Sequence, residues 1–481
     1  MKKAIRLLSL ALALFMLPIA LIACNNDGGS TGVTDIDPNS PIEEKNYGET
    51  FNYLVMNDIM PFEYMYATEK LYNEMNDSIY QRQLNVGRNI GVEITAKKTE
   101  DYNSYATDFE TSISSQDNTY QLCLTHCNIG VATFATKGYL YDFADFESIN
   151  LDASYWNKDL MDTVKFKGEY LLGYGDLCLA SVYTVVFNKS LLATYGKTTL
   201  GNDTIYDLVH DKKWTLDMMG TLASAAYEDL DGDGLEATDR YGLSGCMWVP
   251  ACSFLQSCGA NISRYNKDTK AYELCINTQR VQQIINKVQE LYDAEYSFMH
   301  RSEDATDSSK MVQMKTGRTL FELQGSYNLV DLKSTNVKFG VLPYPTFVEG
   351  QEYRSLSWNG YMAVPYNIDV VSDPEMISDT LELLQYYSKP VTVAFYEKLL
   401  GAQVSDVPDD ADMLDIIWDS QVSDFAMAYS NTTTSTKPLD ALLYAIPRII
   451  LGIDQTNNLN GYWARHGKAA TNDMKSLQDI K

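Results

Sequence analysis

Histidine is scarce in this chain, and several signatures of catalysis are missing. Its four histidines, His126, His210, His300 and His466, are widely spaced, so we expect surface residues rather than a metal cluster. There is no HExxH motif and no phosphate-binding P-loop. The segment nearest to a GxSxG elbow, Gly242-Leu243-Ser244-Gly245, has its second glycine one residue early. The sequence therefore lacks the local signatures of zinc peptidases, P-loop nucleotide hydrolases and α/β-hydrolases.

Residues 1–24 have the layout of a secretory signal. A cationic start with Lys2, Lys3 and Arg6 precedes an apolar core that Pro18 interrupts. A membrane-spanning helix is the alternative, but the apolar stretch is at the lower limit of the length needed. The final tetrapeptide LIAC resembles a bacterial lipobox. That resemblance implies removal of residues 1–23 and lipidation of Cys24, including a palmitate-type acyl chain.

The chain carries a large excess of acidic residues. Its formal net charge is −26, and loss of residues 1–23 makes it −29. Such a protein repels nucleic acid and anionic headgroups, so a neutral or cationic ligand is favoured over a polyanion. The simpler interpretation, which we favour, is that the charge keeps an exposed surface protein in solution.

The cysteines show no disulfide pattern. With Cys24 assigned to lipid, seven of the eight remain, and an odd number leaves at least one thiol free. Cys123 and Cys127 have no second closely spaced pair, which argues against a zinc site. We expect most cysteines to be buried small apolar residues, and one bridge within 246–275 stays open.

Secondary-structure patterns alternate between strand and helix after a polar segment. Residues 24–46 are predicted to form a flexible tether, with order beginning at Glu49. Predicted strands cover 49–55, 91–94, 120–124, 182–187, 319–322, 337–342 and 360–364. Predicted helices cover 76–90, 102–115, 215–227 and 281–292, and residues 374–481 are predicted to be mostly helical. This alternation is typical of an α/β fold.

Several segments, in this order, resemble one protein family. They are Asn89–Ile94, Gly138–Phe143, Phe166–Gly173 with Val186–Lys189, Lys338–Pro343 and Gly360–Pro365. The chain resembles the extracellular solute-binding proteins of bacterial ABC importers, in the maltose-binding-protein-like carbohydrate group.

The resemblance implies a type II periplasmic-binding-protein fold with two α/β lobes. The first lobe is expected to take 47–182 plus 359–400, and the second 187–355 plus 405–481. It implies a ligand cleft between the lobes, hinge closure, an ABC permease as partner and a monomer on the outer face of the cell membrane. It implies no catalysis.

An acidic loop at 229–240 has the spacing of an EF-hand-like calcium loop. Position 12 is Arg240 rather than glutamate, so the last ligand is expected to be Asp239 or Glu236. The alternative is a solvated acidic turn without metal. The candidate ligands for a structural Ca²⁺ are Asp229, Asp231, Asp233, the carbonyl of Leu235, and Asp239.

Candidate ligand contacts are aromatic and planar polar residues, which suit sugar rings and hydroxyl groups. Positions after strand ends are favoured because ligands of α/β sheets bind there. By resemblance, the loop after the strand at 120–124 binds hydroxyl groups, although Cys127 stands where the family has an acid. Gln324 and Tyr327 lie in a segment that resembles the family's sugar-stacking turn. The full set is Asn57, Asp58, His126, Asn128, Trp248, Gln324, Tyr327, Trp358, Asn359 and Trp463. Buried tryptophans serve more often as core residues than as ligand platforms.

Three alternatives remain open at this stage. One is a surface glycan hydrolase, which 64 acidic residues neither support nor exclude. Another is a receptor for peptides or other non-sugar solutes. The third is a structural adhesion protein, which predicts no saturable small ligand.

Overall fold

The computed structural model describes most of the chain beyond residue 36. The described residues are 37–56, 62–99, 101–117, 119–125, 130–178, 182–232, 238–245, 248–299, 311–357, 360–365, 373–400, 408–430, 438–450 and 458–479. The chain divides into two compact units, Met1–Asp37 and Pro38–Lys481. Everything below concerns the second unit. The signal segment and Cys24 lie outside the described residues. A search of the described helices finds none with the length and apolarity needed to span a membrane.

The first sheet has four strands in the order β12-β3-β1-β2. Three of them are parallel, and β12 is antiparallel to β3. The strands are β1 (Thr50–Met56), β2 (Glu93–Thr99), β3 (Leu122–Thr125) and β12 (Tyr361–Ala363). Parallel neighbours need crossover connections, and here helices supply them.

The helix Glu74–Ile90, between β1 and β2, begins and ends at residues that its sequence marks. Asn73 caps its start, accepting a hydrogen bond from the Asn76 backbone N–H. Gly91 ends it with φ 66°, in the left-handed region that favours glycine. A Cβ at Gly91 would also lie 2.0 Å from Asn46 Oδ1. The chain therefore turns directly into β2.

The second sheet has five strands in the order β10-β4-β9-β5-β8. The strand β5 is parallel to β8 and β9, whereas β4 is antiparallel to β9 and β10. The strands are β4 (Tyr183–Asn188), β5 (Tyr241–Gly245), β8 (Ser297–Met299), β9 (Thr319–Gly325) and β10 (Phe339–Leu342). On one face Trp214 is fully buried against Phe321, with ring centroids 5.5 Å apart.

Helices and two small strand pairs surround these sheets. The pairs are β6 (Ser263–Asn266) with β7 (Ala271–Leu274), and β11 (Ser355–Leu356) with β13 (Gln421–Val422). Helices α1 to α9 are Phe62–Met65, Glu74–Ile90, Tyr102–Ser115, Val131–Thr136, Lys158–Thr163, Lys189–Leu191, Lys197–Leu200, Ile205–His210 and Leu216–Ala226. Helices α10 to α18 are Trp248–Ser257, Gln279–Asp293, Val312–Lys315, Pro374–Tyr386, Lys389–Leu400, Pro408–Asp419, Phe425–Ala428, Pro438–Ile450 and Leu459–Asp479.

The predicted elements are confirmed, with shifted ends. Thr215 caps α9 as expected, accepting a hydrogen bond from the Met218 backbone N–H. The strand predicted at 91–94 starts only after Gly91 and runs to Thr99. The mostly helical character of the segment after Pro374 is also confirmed.

The ordered body begins before Glu49, within the segment predicted as tether. Ile42 is buried, and its carbonyl accepts a hydrogen bond from Asn89 Nδ2 at 3.0 Å. Lys45 forms an ion pair with Asp379 at 2.8 Å. The end of that segment is therefore held against the first sheet's helices.

The described cysteines are free thiols. Cys123, Cys178, Cys252 and Cys258 are buried, as expected, and Cys275 is partly buried. Burial raises the pKa of Cys252 and Cys258 to about 12, so both remain protonated at neutral pH. The three described cysteines within 246–275 form no bridge with one another. Cys246 lies outside the described residues.

Gly242 provides a test of how α9 packs on β5. A Cβ at this position would lie 2.0 Å from the Ala223 carbonyl oxygen, a backbone atom that cannot rotate away. We expect Gly242→Ala to lower the free energy of unfolding by at least about 2 kcal/mol. The control is Gly461→Ala in α18, where the nearest atom lies 3.6 Å away. Thermal denaturation followed by circular dichroism measures both. Equal stability of the two variants would contradict this packing.

Candidate ligand cleft and acidic loop

The carboxyl ends of the parallel strands form one edge in each sheet. In the first sheet β1 ends at Met56 and β3 ends at Thr125. In the second sheet β5 ends at Gly245 and β9 at Gly325, beside the start of β4. Ligands of open α/β sheets bind outside such edges.

Two chain segments connect these edges, and we call residues 174–182 and 357–361 the hinge. On the first-sheet side, Gly173 and Met362 exchange backbone hydrogen bonds of 2.8 and 2.9 Å. On the second-sheet side, Val182 pairs with Ser357. Four residue steps separate Ser357 from Tyr361, which pairs with Thr125. The Cα atoms of Ser357 and Tyr361 are therefore at most about 14 Å apart. The two edges therefore border one hinge.

Side-chain hydrogen bonds surround the hinge. Ser357 Oγ donates to Tyr174 Oη at 2.7 Å, and Tyr174 donates to Gln421 Oε1 at 2.9 Å. Tyr361 and Ser423 hydroxyls are 2.6 Å apart. Burial raises the pKa of Tyr174 well above its usual value, so the phenol stays a donor. These residues could not be predicted from the sequence, since the partners are far apart in the chain.

Many of the candidate ligand contacts fall where the structure gives no description. Asn57, Asp58, His126, Asn128, Trp358 and Asn359 lie outside the described residues. Their described neighbours Met56 and Thr125 end strands at the first edge. Trp248 begins α10 and Tyr327 lies in the turn after β9, but their side chains are outside the description.

Gln324 is buried at the end of β9 and uses its side chain within the protein. Its Oε1 accepts hydrogen bonds from the Gly325 backbone N–H and from Asn328 Nδ2, both at 2.9 Å. These bonds hold the start of the 3₁₀ turn Ser326–Ser334, which carries Tyr327. The geometry makes Gln324 a positioning group for that turn.

Glu322 is a buried acid two residues before Gln324, and it was not among the residues predicted from the sequence. It lies opposite Ser244 of β5, whose Oγ donates to its carboxylate. Burial raises the pKa of Glu322 to about 8. An acid inside the otherwise apolar run Leu320–Leu323 is the signal that could have revealed it.

Trp463 lies on α18, which packs against α17 and β7. Its indole covers Gly467, where an added Cβ would lie 2.6 Å from the ring. The ring is partly buried against the main core. These contacts are those of a packing residue.

The acidic loop brings three carboxylates together. Oxygens of Asp229, Asp231 and Asp239 lie within 4.8 Å of one another. Asp239 is fully buried and accepts a hydrogen bond from the Leu230 backbone N–H at 3.0 Å. Hard oxygen ligands at this spacing suit Ca²⁺. Asp233 and Leu235 lie outside the described residues.

Arg240, which departs from the EF-hand pattern, closes the base of this loop. It exchanges backbone hydrogen bonds of 3.1 Å with Glu228 and pairs with its carboxylate. Its Nε donates to the Ala226 carbonyl at 2.8 Å, and its guanidinium lies 4.2 Å from the Tyr195 ring centroid. The arginine thus has structural partners of its own, and Asp239 is the acid beside Asp229 and Asp231.

Comparison with known proteins shows the family of this chain. Residues 82–402 match the family of bacterial extracellular solute-binding proteins. The chain belongs to that family. A search of curated protein sequences gives no significant match for this solute-binding protein.

Solved structures of low sequence identity share its two-lobed fold. The sugar-binding protein MalE of Xanthomonas citri is 12% identical with a TM-score of 0.59, covering 90% of this chain and 98% of that one. The GacH receptor of Streptomyces glaucescens, solved unliganded and with acarbose, is 15% identical with a TM-score of 0.55, covering 90% and 99%. An ABC substrate-binding protein of Listeria monocytogenes in complex with cycloalternan is 13% identical with a TM-score of 0.55, covering 90% and 100%.

Glu322 predicts a pH dependence of stability. The folded-state pKa of Glu322, about 8, exceeds the ordinary value of 4.5. The residue's contribution to the free energy of unfolding is therefore fully present below pH 4.5 and is lost as the pH rises towards 8. Between pH 5 and 8 the wild type is expected to lose about 3 kcal/mol of its free energy of unfolding through this group, and Glu322→Gln should not show this loss. Urea denaturation across this range measures it.

The matched control is Glu349→Gln, at an exposed position. Its profile should follow that of the wild type. A Glu322→Gln profile parallel to the wild type would show that Glu322 ionises without a burial penalty.

Proposed function

We propose that this solute-binding protein captures an oligosaccharide outside the cell and delivers it to the permease of an ABC importer. The observation that carries the proposal is the hinge, which joins the two sheet edges at Val182–Ser357 and Gly173–Met362. Binding between hinged lobes gives a closed, loaded form that a permease can distinguish from the open one. Recognition of this kind needs no bond-breaking chemistry.

An oligosaccharide is favoured over other solutes by three considerations. The structural neighbours include a sugar-binding protein, a receptor in complex with acarbose and a substrate-binding protein in complex with cycloalternan. The chain has 34 tyrosines and 6 tryptophans, which supply aromatic faces. Its net charge of −26 disfavours polyanionic ligands.

The proposed location is the outer face of the membrane, through lipid on Cys24. The support is the signal layout of residues 1–24 and the LIAC tetrapeptide. The body is held from Ile42 onwards, so 17 residues separate it from Cys24. A tether of this length keeps the receptor near its permease and raises its effective concentration there. The receptor is proposed to act as a monomer.

Sugar binding should stabilise the purified full chain. A ligand at 100 times its Kd adds about 2.7 kcal/mol to the free energy of unfolding. Thermal-shift assays with a series of maltooligosaccharides and cyclic glucans, against a peptide library, test this. Stabilisation by peptides alone would change the solute class, and release of products from a glycan would favour the hydrolase.

A matched pair of variants tests the turn after β9. We expect Tyr327→Ala to weaken sugar binding about tenfold, because an aromatic platform is lost. The control is Tyr72→Ala, since Tyr72 is 96% exposed on another loop. Isothermal titration calorimetry measures both Kd values. Equal affinities would remove Tyr327 from the proposed site.

We also propose that the acidic loop binds a structural Ca²⁺. The support is the convergence of Asp229, Asp231 and Asp239. Neutralising three neighbouring carboxylates would stabilise the loop.

The calcium proposal predicts a metal-dependent melting temperature. Chelation should lower it in the wild type, and replacement of Asp231 and Asp233 by Asn should abolish the difference while sparing sugar affinity. Asp268→Asn, on the exposed β6–β7 turn, is the control. Loss of sugar affinity at unchanged stability would place this loop in the ligand site instead.

A further inference from the structure

A pocket of about 360 Å³ opens beside the hinge, and we call it the hinge pocket. Residues 151–159 and Gly175–Asp176 form one side, and Trp418–Asp419 at the end of α15 form the other. Gly175 pairs with Trp156, and nearby Gly173 pairs with Met362 of β12. The pocket therefore lies beside the hinge, beyond the β12 edge of the first sheet.

Asp176 is the unusual residue of this pocket. It is only 4% exposed, yet no hydrogen-bond donor and no basic group within 4.0 Å contacts its carboxylate in the described structure. The positive charge of Lys389, on α14, lowers the Asp176 pKa, but the two residues form no ion pair in the described structure. Burial raises the pKa of Asp176 to about 6. The group is therefore mostly ionised at neutral pH.

Two other buried acids in the described structure, Asp379 and Asp424, each have several hydrogen-bond donors. The Asp379 carboxylate accepts hydrogen bonds from Lys45, Tyr47 and Ser148. The Asp424 carboxylate accepts them from three backbone N–H groups and Ser263. Buried carboxylates without partners are costly and rare. The Asp176 carboxylate faces the pocket, so it can accept a partner that enters from outside the chain.

The pocket has the charge of a cation site. Asp152, Asp159 and Asp419 also line it, and its one lining cation, Lys158, is paired with Asp152 at 2.5 Å. The remaining carboxylates leave a negative surface around Asp176.

Organic cations fit this arrangement better than a metal ion. Among the described residues, the only set of three acidic groups close enough to share a metal is that of the acidic loop. The hinge pocket instead combines dispersed carboxylates with the indole of Trp418, and aromatic faces attract ammonium groups. Its volume exceeds that of a single ion.

We propose that the hinge pocket binds an organic ammonium ion, held by Asp176 and Trp418, at a site separate from the solute cleft. Asp176 supplies the charge, and Trp418 supplies a cation–π surface. This site is independent of the proposed sugar function.

Calorimetric titration of the purified full chain at pH 7.5 tests the proposal, with choline as a quaternary and 1,4-diaminobutane as a primary ammonium probe. We expect at least one to bind with one-to-one stoichiometry. Asp176→Asn should raise its Kd about tenfold or more, and Trp418→Leu about fivefold. Asp176→Asn removes an unpaired buried charge, so its fold should be at least as stable as the wild type. Asp268→Asn is the control and should leave the Kd within about twofold, since it removes only an exposed charge.

Acid should weaken binding of the cation. Affinity is expected to fall as the pH decreases through about 6, because protonated Asp176 carries no charge. The other charged groups of the pocket are Asp152, Lys158, Asp159 and Asp419, with Lys389 nearby. Asp176→Asn should flatten the pH dependence between 5 and 7.5.

Three results would overturn the hinge pocket as an ammonium site. They are absence of binding by both probes, unchanged affinity in Asp176→Asn, and competition between the cation and a bound sugar for one site. Sugar binding measured in the same samples separates the two proposals. Binding of sugar without either cation refutes only the hinge pocket, and binding of a cation without sugar refutes only the sugar function.

Discussion

The double crossing of the chain at one hinge is the constraint on which the rest of the structure depends. Two segments join the sheets, and the pairs Gly173–Met362 and Val182–Ser357 fix them side by side. Backbone hydrogen bonds of this kind hold position but allow rotation about the crossing. The carboxyl ends of the strands of both sheets then border one hinge. A receptor that closes around its ligand needs this arrangement. The buried hydroxyl contacts of Tyr174 and Tyr361 define how this hinge is packed.

Local patterns were sufficient to predict most of the fold. The Gly91 helix end and the Thr215 cap are written in residues next to the elements they bound. The alternation of strands and helices predicted an α/β fold because parallel pairing requires crossovers, and the family resemblance implied its two lobes. The start of the ordered body was predicted too late, since Ile42 and Lys45 are held by partners distant in sequence.

The site was harder to predict because its important features arise from burial and long-range contacts. Glu322 and Asp176 are ordinary acids in the sequence, and only packing gives them raised pKa values. Trp463 was a candidate ligand contact from its residue type alone, and the sequence did not show that its indole lies over Gly467 on its own helix. The acidic loop was the exception. Its acidic residues are close in sequence, and the departure at Arg240 left Asp239 or Glu236 as the last candidate ligand; the Asp239 carboxylate lies near those of Asp229 and Asp231.

Small-angle X-ray scattering tests most directly whether a sugar binds between hinged lobes. The full chain would be measured free and saturated with the maltooligosaccharide or cyclic glucan that stabilises it most, at one-to-one stoichiometry. Hinge closure predicts a smaller radius of gyration in the presence of the sugar. Stoichiometric sugar binding with unchanged scattering would contradict the account.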